Sequence, residues 1–225
     1  MVPTAPTEVS FEFDDLVSAV YRKIKDLILN QQFAPGQKIK QEDLAKALGV
    51  SRTPLIKALH LLIGDNLVVY TPRKGFTVKE LTTREMAEIF YIRELLDGAV
   101  ARETAAKATP DQLAELGRFF AGYGGAWDRA TRDRYMAADK AFHARLYEIA
   151  GIPMLSRINE MFNISRVSYQ RGLIRDPQET LVEHLAIVDA FRNHDEELAE
   201  RLARAHTIRS RTALLRLAEK EENGG

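Results

Sequence analysis

QEDLAKALGVSRTPLIKALHLLI, residues 41–63, decides the fold of this chain. The pattern predicts a short helix over 41–48 stopped by Gly49, then a second helix from an N-cap at Ser51 to about Ile63. Pro54 falls in the first turn of that second helix, where its missing N–H removes no helical hydrogen bond. Upstream, apolar residues at Leu16, Val17, Val20, Ile24, Leu27 and Ile28 keep the three-and-four spacing of an amphipathic helix, which Phe33-Ala-Pro-Gly-Gln37 breaks. Downstream, Leu67-Val-Val-Tyr70, the turn residues 71–75 and Phe76-Thr-Val78 predict a small β-hairpin.

Helix, helix, tight turn, helix, hairpin is the order of a winged helix-turn-helix, whose helix after the turn enters the DNA major groove. The charge distribution agrees. Residues 16–79 hold 11 Lys and Arg against 4 Asp and Glu, so in a chain of zero net charge the remainder carries seven net negative charges. A basic module favours a polyanion through phosphate neutralisation and counterion release. Ser51, Arg52 and Thr53 open the recognition helix, where side chains reach base edges and phosphates. Arg52 is the first candidate for a base contact, since a guanidinium pairs bidentately with guanine. Ile56 lies one turn on and suits a thymine methyl, Lys57 suits a phosphate, and Arg73 with Gly75 at the wing tip allows close backbone approach. One short recognition helix reads only a few base pairs, so a homodimer on a palindromic double-stranded operator is expected.

At 225 residues the chain accommodates two domains, a winged helix-turn-helix over 10–79 and a second domain over 80–220. The second reads as almost wholly helical, with segments near 83–107, 110–125, 131–149, 153–172, 177–193 and 195–219. Short breaks at Thr109-Pro-Asp111, Gly151-Ile-Pro153, Asp176-Pro177 and Asn193-His-Asp195 predict an antiparallel all-α bundle. The fold class is therefore mainly α. The first ten residues lack the features of a secretory signal and read as a frayed arm, and residues 219–225 read as a charged, disordered tail. No stretch approaches the roughly 20 apolar residues of a membrane span. The absence of cysteine rules out disulfides and thiolate ligands and fits a cytoplasmic protein.

Asp139 and His143 are four residues apart, on one face of a predicted helix, and can share an ion. Alone, that pair equally describes a hydrogen bond on a helix surface. His184 shares a face with Leu181, Ile187 and Val188, and His206 continues the series Leu198 and Leu202, so both point into the bundle. Buried histidines can be simply hydrogen-bonded. As a set, three imidazoles and one carboxylate suit Zn²⁺ first, or Ni²⁺, Mn²⁺ or Fe²⁺, over Ca²⁺ and Mg²⁺, which prefer all-oxygen shells. His60 and His194 lie outside this set.

Gly36-Gln-Lys-Ile, Leu44-Ala-Lys-Ala-Leu-Gly-Val-Ser-Arg-Thr-Pro54, Ala58-Leu59, Gly64-Asp-Asn-Leu67 and Gly75 resemble the GntR family of bacterial transcription regulators. Tyr91-Ile-Arg93 with Leu96, Asp139 with Phe142-His143 and Leu146, Glu183-His184 with Ile187, Asp195 with Ala199, and His206 resemble the FCD ligand-binding domain of its FadR-like branch. The chain departs from that pattern in Glu42 and Ile56, where an Arg is usual, in Asp97 for Glu and in Ile152 for Asn. The resemblance implies a regulator, most often a repressor, with metal ligands at Asp139, His143, His184 and His206. It also implies a small carboxylate effector paired with Arg93, an arginine suited to two-pronged carboxylate binding, whose alternative place is a surface salt bridge with Glu94 or Asp97. Asn163, Arg166 and Tyr169 are further candidates for the cavity wall. The competing reading is a metal-dependent hydrolase that activates water at an open three-histidine, one-aspartate site, although no His-Glu-x-x-His motif is present.

Overall fold

The computed structural model describes residues 11–125, 127–161 and 172–223, and the chain divides into two compact units, Met1–Glu80 and Leu81–Gly225. In the first, helix α1 (Phe11–Leu29) buries Val17, Val20, Ile24 and Ile28 against helix α3 (Arg52–Gly64), which returns Leu55, Ala58, Leu59 and Leu62. Helix α2 (Gln41–Leu48) ends at Gly49. The backbone there turns into the left-handed region at φ 66°, which any side chain would strain. Ser51 is the N-cap of α3 in extended conformation, but its hydroxyl makes no capping bond. Tyr21 and Lys25 of α1 both reach Asp65 at the α3 C-terminus, at 2.5 and 2.8 Å. Strands β1 (Val68–Thr71) and β2 (Gly75–Val78) pair antiparallel, Val68 opposite Val78 and Thr71 opposite Gly75. Leu16, expected in the apolar stripe, is exposed instead, because the buried face of α1 runs through Val17, Val20 and Ile24.

The second unit is built on helix α4 (Thr83–Lys107), with α5 (Pro110–Arg118), α6 (Arg129–Ala150), α7 (Pro153–Met161), α8 (Pro177–Arg192) and α9 (Glu196–Asn223). Their starts are written in the sequence. Thr82 with Glu85 and Thr109 with Gln112 form complete capping boxes, and Asp128 and Asp176 each accept a backbone N–H of the first turn. A cap of this kind contributes about 1 kcal/mol. Helices α4 and α9 pack antiparallel along their lengths: Arg102 meets Glu196 at one end, Glu94 meets Arg211 in the middle, and Thr83 meets Glu221 at the other. Gly98 permits the close approach, since a Cβ there would fall 2.5 Å from Cγ of Arg204. Between the helices lies a core of Val100, Leu116, Phe120, Phe142, Ile187 and Phe191.

Two expectations change. The helix expected to reach residue 125 ends at Arg118, ahead of the glycine-rich 122–125 stretch. The tail expected to be disordered from residue 219 remains helical to Asn223, because Glu221 accepts from Thr83 at 2.6 Å and Glu222 pairs with Arg84 at 3.1 Å. Asn163, Arg166 and Tyr169 lie outside the described residues.

Candidate metal centre and nucleic-acid interface

In the first unit, Ser51, Arg52, Thr53 and Lys57 are exposed along one end of α3. The packing side of the helix is occupied by Leu55, Ala58, Leu59 and Leu62, which leaves the polar side facing outward. Arg52 approaches Gln41 Oε1 through Nε and a terminal nitrogen, both at 3.4 Å, which leaves the guanidinium loosely held. Arg73 and Lys74 are exposed in the β1–β2 turn, where Arg73 adopts φ 67° and Gly75 φ 86°. An open groove of about 500 Å³ connects these regions, and Lys38, Lys40, Arg52, Arg73 and Lys74 line it together with Glu42 and Asp43. Every predicted nucleic-acid residue thus lies on the surface of the unit.

In the second unit, three helices bring the predicted ligands together. Helix α6 supplies Asp139 and His143, α8 supplies His184, and α9 supplies His206, all four buried. Candidate donor atoms of the three histidines lie within 4.8 Å of one another. Asp139 Oδ1 is 3.1 Å from His184 Nε2 and 3.8 Å from His143 Nε2. Metal–ligand bonds of about 2.0–2.2 Å place neighbouring donor atoms roughly 3–3.5 Å apart, a spacing the Asp139–His184 pair already has and the Asp139–His143 pair exceeds.

Hydrogen bonding decides which nitrogens face the centre. His206 Nδ1 lies 2.7 Å from Glu183 Oε2, and a carboxylate only accepts, so Nδ1 carries a proton and Nε2 is the nitrogen left to face the centre. Burial alone would push the Glu183 carboxyl up, but hydrogen bonds from His206 and Arg175 outweigh it and hold Glu183 well below the usual carboxylate range. Arg175 grips Glu183 with two bonds of 2.8 Å, and Arg209 adds one of 2.9 Å. His184 places Nδ1 at 2.9 Å from the Tyr135 hydroxyl and stacks its ring on Phe120. The Nε2 atoms of His143 and His184 are buried and make no hydrogen bond. An orphaned buried donor or acceptor costs about 1–3 kcal/mol, and two beside one carboxylate form a donor set that a cation would satisfy. Burial first, and then the nearby positive groups, push both imidazoles well below their usual pKa, so they are neutral and ready to ligate at neutral pH.

Arg93 reaches the same region from α4 but is already engaged. Its Nε and a terminal nitrogen meet Asp97 Oδ2 at 3.1 and 3.0 Å, with both side chains almost wholly buried. Asp97 also accepts from Tyr147 at 3.3 Å. An enclosed space of about 30 Å³ beside the histidines is lined by Arg93, Asp139, His143, Arg175, Thr180 and His206, among others. A water needs about 10–15 Å³ of such space, so the space bounded by the described residues holds about two waters.

His60 and His194 keep structural places. His60 packs edge-on against Phe76, and His194 Nδ1 bonds the Ala105 carbonyl at 2.7 Å. Sequence reasoning missed Tyr135, Thr180 and Arg175. The first two carried a usable signal, because Tyr135 precedes Asp139 by four residues and Thr180 precedes His184 by four, on the same helix faces. Arg175 precedes its helix and carried none.

Comparison with known proteins supports both halves. Residues 16–78 match the bacterial regulatory proteins of the gntR family, and residues 88–209 match the FCD domain. The chain is 28% identical over 191 residues to the uncharacterized HTH-type transcriptional regulator YdhC of Bacillus subtilis, covering 83% of this chain and 85% of that one. It is 26% identical over 190 residues to the HTH-type transcriptional repressor RspR of Escherichia coli, with 83% of each chain covered. A putative transcriptional regulator from Rhodococcus sp. RHA1 has the same fold, with a TM-score of 0.71 at 22% identity over 89% of this chain and 98% of the other. With its first unit matched by the one and most of its second by the other, the chain belongs to the GntR family of bacterial transcription regulators, among the members that join the helix-turn-helix domain to an FCD domain.

Proposed function

We propose that this regulator is a homodimeric repressor whose operator binding responds to a small carboxylate held at a divalent transition-metal site. The observation that carries the proposal is the pair of buried, unbonded nitrogens on His143 and His184, set around Asp139 with His206 alongside. Asp139, His143, His184 and His206 would hold the ion through one oxygen and three Nε2 atoms, a donor set suited to Zn²⁺ before Ni²⁺, Mn²⁺ or Fe²⁺. When bound, the ion supplies a Lewis-acidic point for a carboxylate oxygen.

The protein's own groups do the rest. A small space borders His143, His206, Arg93 and Arg175, where a carboxylate oxygen could approach the ion. Arg93 and Arg175 give that wall positive charge, while Asp97 and Glu183 hold the guanidinium groups in place. The exposed Ser51, Arg52, Thr53 and Lys57 read the major groove, and Arg73 with Gly75 follows the adjoining backbone. The repressor role draws on RspR, which is described as one. Two-fold symmetry supplies the second recognition helix that a specific operator requires.

The hydrolase alternative needs a free general base beside the ion. Glu183 already accepts from His206, Arg175 and Arg209, and the relatives are regulators. The test is elemental analysis of purified protein, followed by titration of small carboxylic acids into protein bound to operator DNA. Stoichiometric metal and a carboxylate-dependent change in operator affinity are expected. Metal-free protein that cannot be loaded with Zn²⁺, or an operator affinity that no carboxylate alters, would overturn the reading.

A further inference from the structure

Tyr135 and Thr180 are not ligand candidates, yet they form a directional chain that ends on one. Thr180 Oγ1 lies 3.2 Å from the Pro177 carbonyl and 2.9 Å from the Tyr135 hydroxyl, which lies 2.9 Å from His184 Nδ1. All three side chains are buried.

The protons can be counted along this chain. Either hydroxyl can donate in the Thr180–Tyr135 bond; in the polarity where Thr180 donates to the Pro177 carbonyl, which only accepts, Thr180 accepts from Tyr135. Tyr135 has then used its single proton and can only accept from His184. In that polarity His184 carries its proton on Nδ1, which leaves the Nε2 lone pair facing Asp139, His143 and His206. The reverse polarity would place a proton on Nε2, aimed at Asp139. At 3.1 Å that oxygen is close enough, but Nε2 makes no hydrogen bond to it. The geometry favours the first polarity.

We infer that Tyr135 and Thr180 are positioning residues that fix the His184 tautomer, so that the metal-free protein already presents Nε2 to the ion. The inference rests on the metal-site reading for its purpose, but its content is a tautomer that exists without metal. Partners that orient a ligating imidazole typically contribute about 10–100-fold to metal affinity. Tyr135→Phe removes the acceptor for His184 Nδ1–H. Thr180→Val leaves the tyrosine in place and removes its proton acceptor, which frees Tyr135 to donate to His184 and favours the wrong tautomer.

The experiment has two arms. Long-range ¹H–¹⁵N spectra of the metal-free protein, with His184→Gln for assignment, should show His184 protonated at Nδ1 in the parent and shifted toward Nε2 protonation in Thr180→Val. Zn²⁺ affinity, measured by chelator competition, should fall roughly 10–100-fold in Tyr135→Phe and in the same direction in Thr180→Val. Nε2 protonation in the metal-free parent would overturn the inference. So would a parent-like tautomer in Thr180→Val, whatever its affinity, since the residues would then be packing alone. A parent with the stated tautomer but no affinity for Zn²⁺ would leave the relay standing and remove the proposed metal site.

Discussion

Glu183→Gln is the sharpest probe of how the centre is supported. Glu183 accepts from His206 at 2.7 Å, from Arg175 at two positions of 2.8 Å, and from the half-exposed Arg209 at 2.9 Å. A hydrogen bond to a charged group contributes about 1.5–3 kcal/mol, against about 1 for a neutral one. The glutamine keeps one neutral acceptor, and Arg209, open to solvent, contributes little. Losing the charge opposite His206 and Arg175 should therefore lower stability by roughly 2–4 kcal/mol at pH 7. The effect must depend on pH in a defined direction. The folded-state pKa of Glu183 is depressed, so its stabilisation is complete above the unfolded-state value near about 4.3 and is lost as pH falls toward the folded value. Within that window the gap between parent and variant should shrink by about 1.4 kcal/mol per pH unit. Urea denaturation of metal-free protein at intervals from pH 7.5 down to 3.5 measures it. A gap under about 0.5 kcal/mol at pH 7, or one that stays constant through acid, would refute the assignment of Glu183 as the ionised anchor of His206.

Three other outcomes follow from the same geometry. His184→Ala and His206→Ala should each lose most bound metal, and full occupancy in both by elemental analysis would place the ligands elsewhere. Arg52→Ala should weaken specific operator binding by about 1–3 kcal/mol at fixed salt while leaving metal content unchanged, and equal operator affinities would remove Arg52 from the base-reading set. Arg93→Met should lower carboxylate affinity tenfold or more. It should also destabilise the protein by about 3–5 kcal/mol, because Asp97 is left buried without its partner. Pairing Arg93→Met with Asp97→Leu should restore stability without restoring carboxylate binding, and calorimetry that finds parent-like affinity would exclude Arg93.

Local rules made much of the fold legible. Gly49 and Ser51 punctuate the helix pair, the capping boxes at Thr82 and Thr109 mark two helix starts, and Gly151 marks a helix end. The four-residue spacing of Asp139 and His143 disclosed a shared face. What escaped was set by contacts between segments distant in sequence. The helical tail owes its order to Thr83 and Arg84, more than 130 positions upstream, and no pattern within residues 219–223 contains them. The engagement of Arg93 by Asp97 was visible as a spacing, but its burial was not, because burial depends on α9 packing over α4.

That packing makes α9 a continuous link within the second unit. It is one uninterrupted helix from Glu196 to Asn223, with His206 in its first half and Glu221 and Glu222 fastened to Thr83 and Arg84. From His206 to Glu221 the rod spans about 22 Å at 1.5 Å per residue. Its far end is therefore tied to the residues that follow Glu80 and the DNA-reading unit directly along the chain. One continuous helix therefore joins His206 to the start of α4, with Glu221 and Glu222 holding its far end to Thr83 and Arg84.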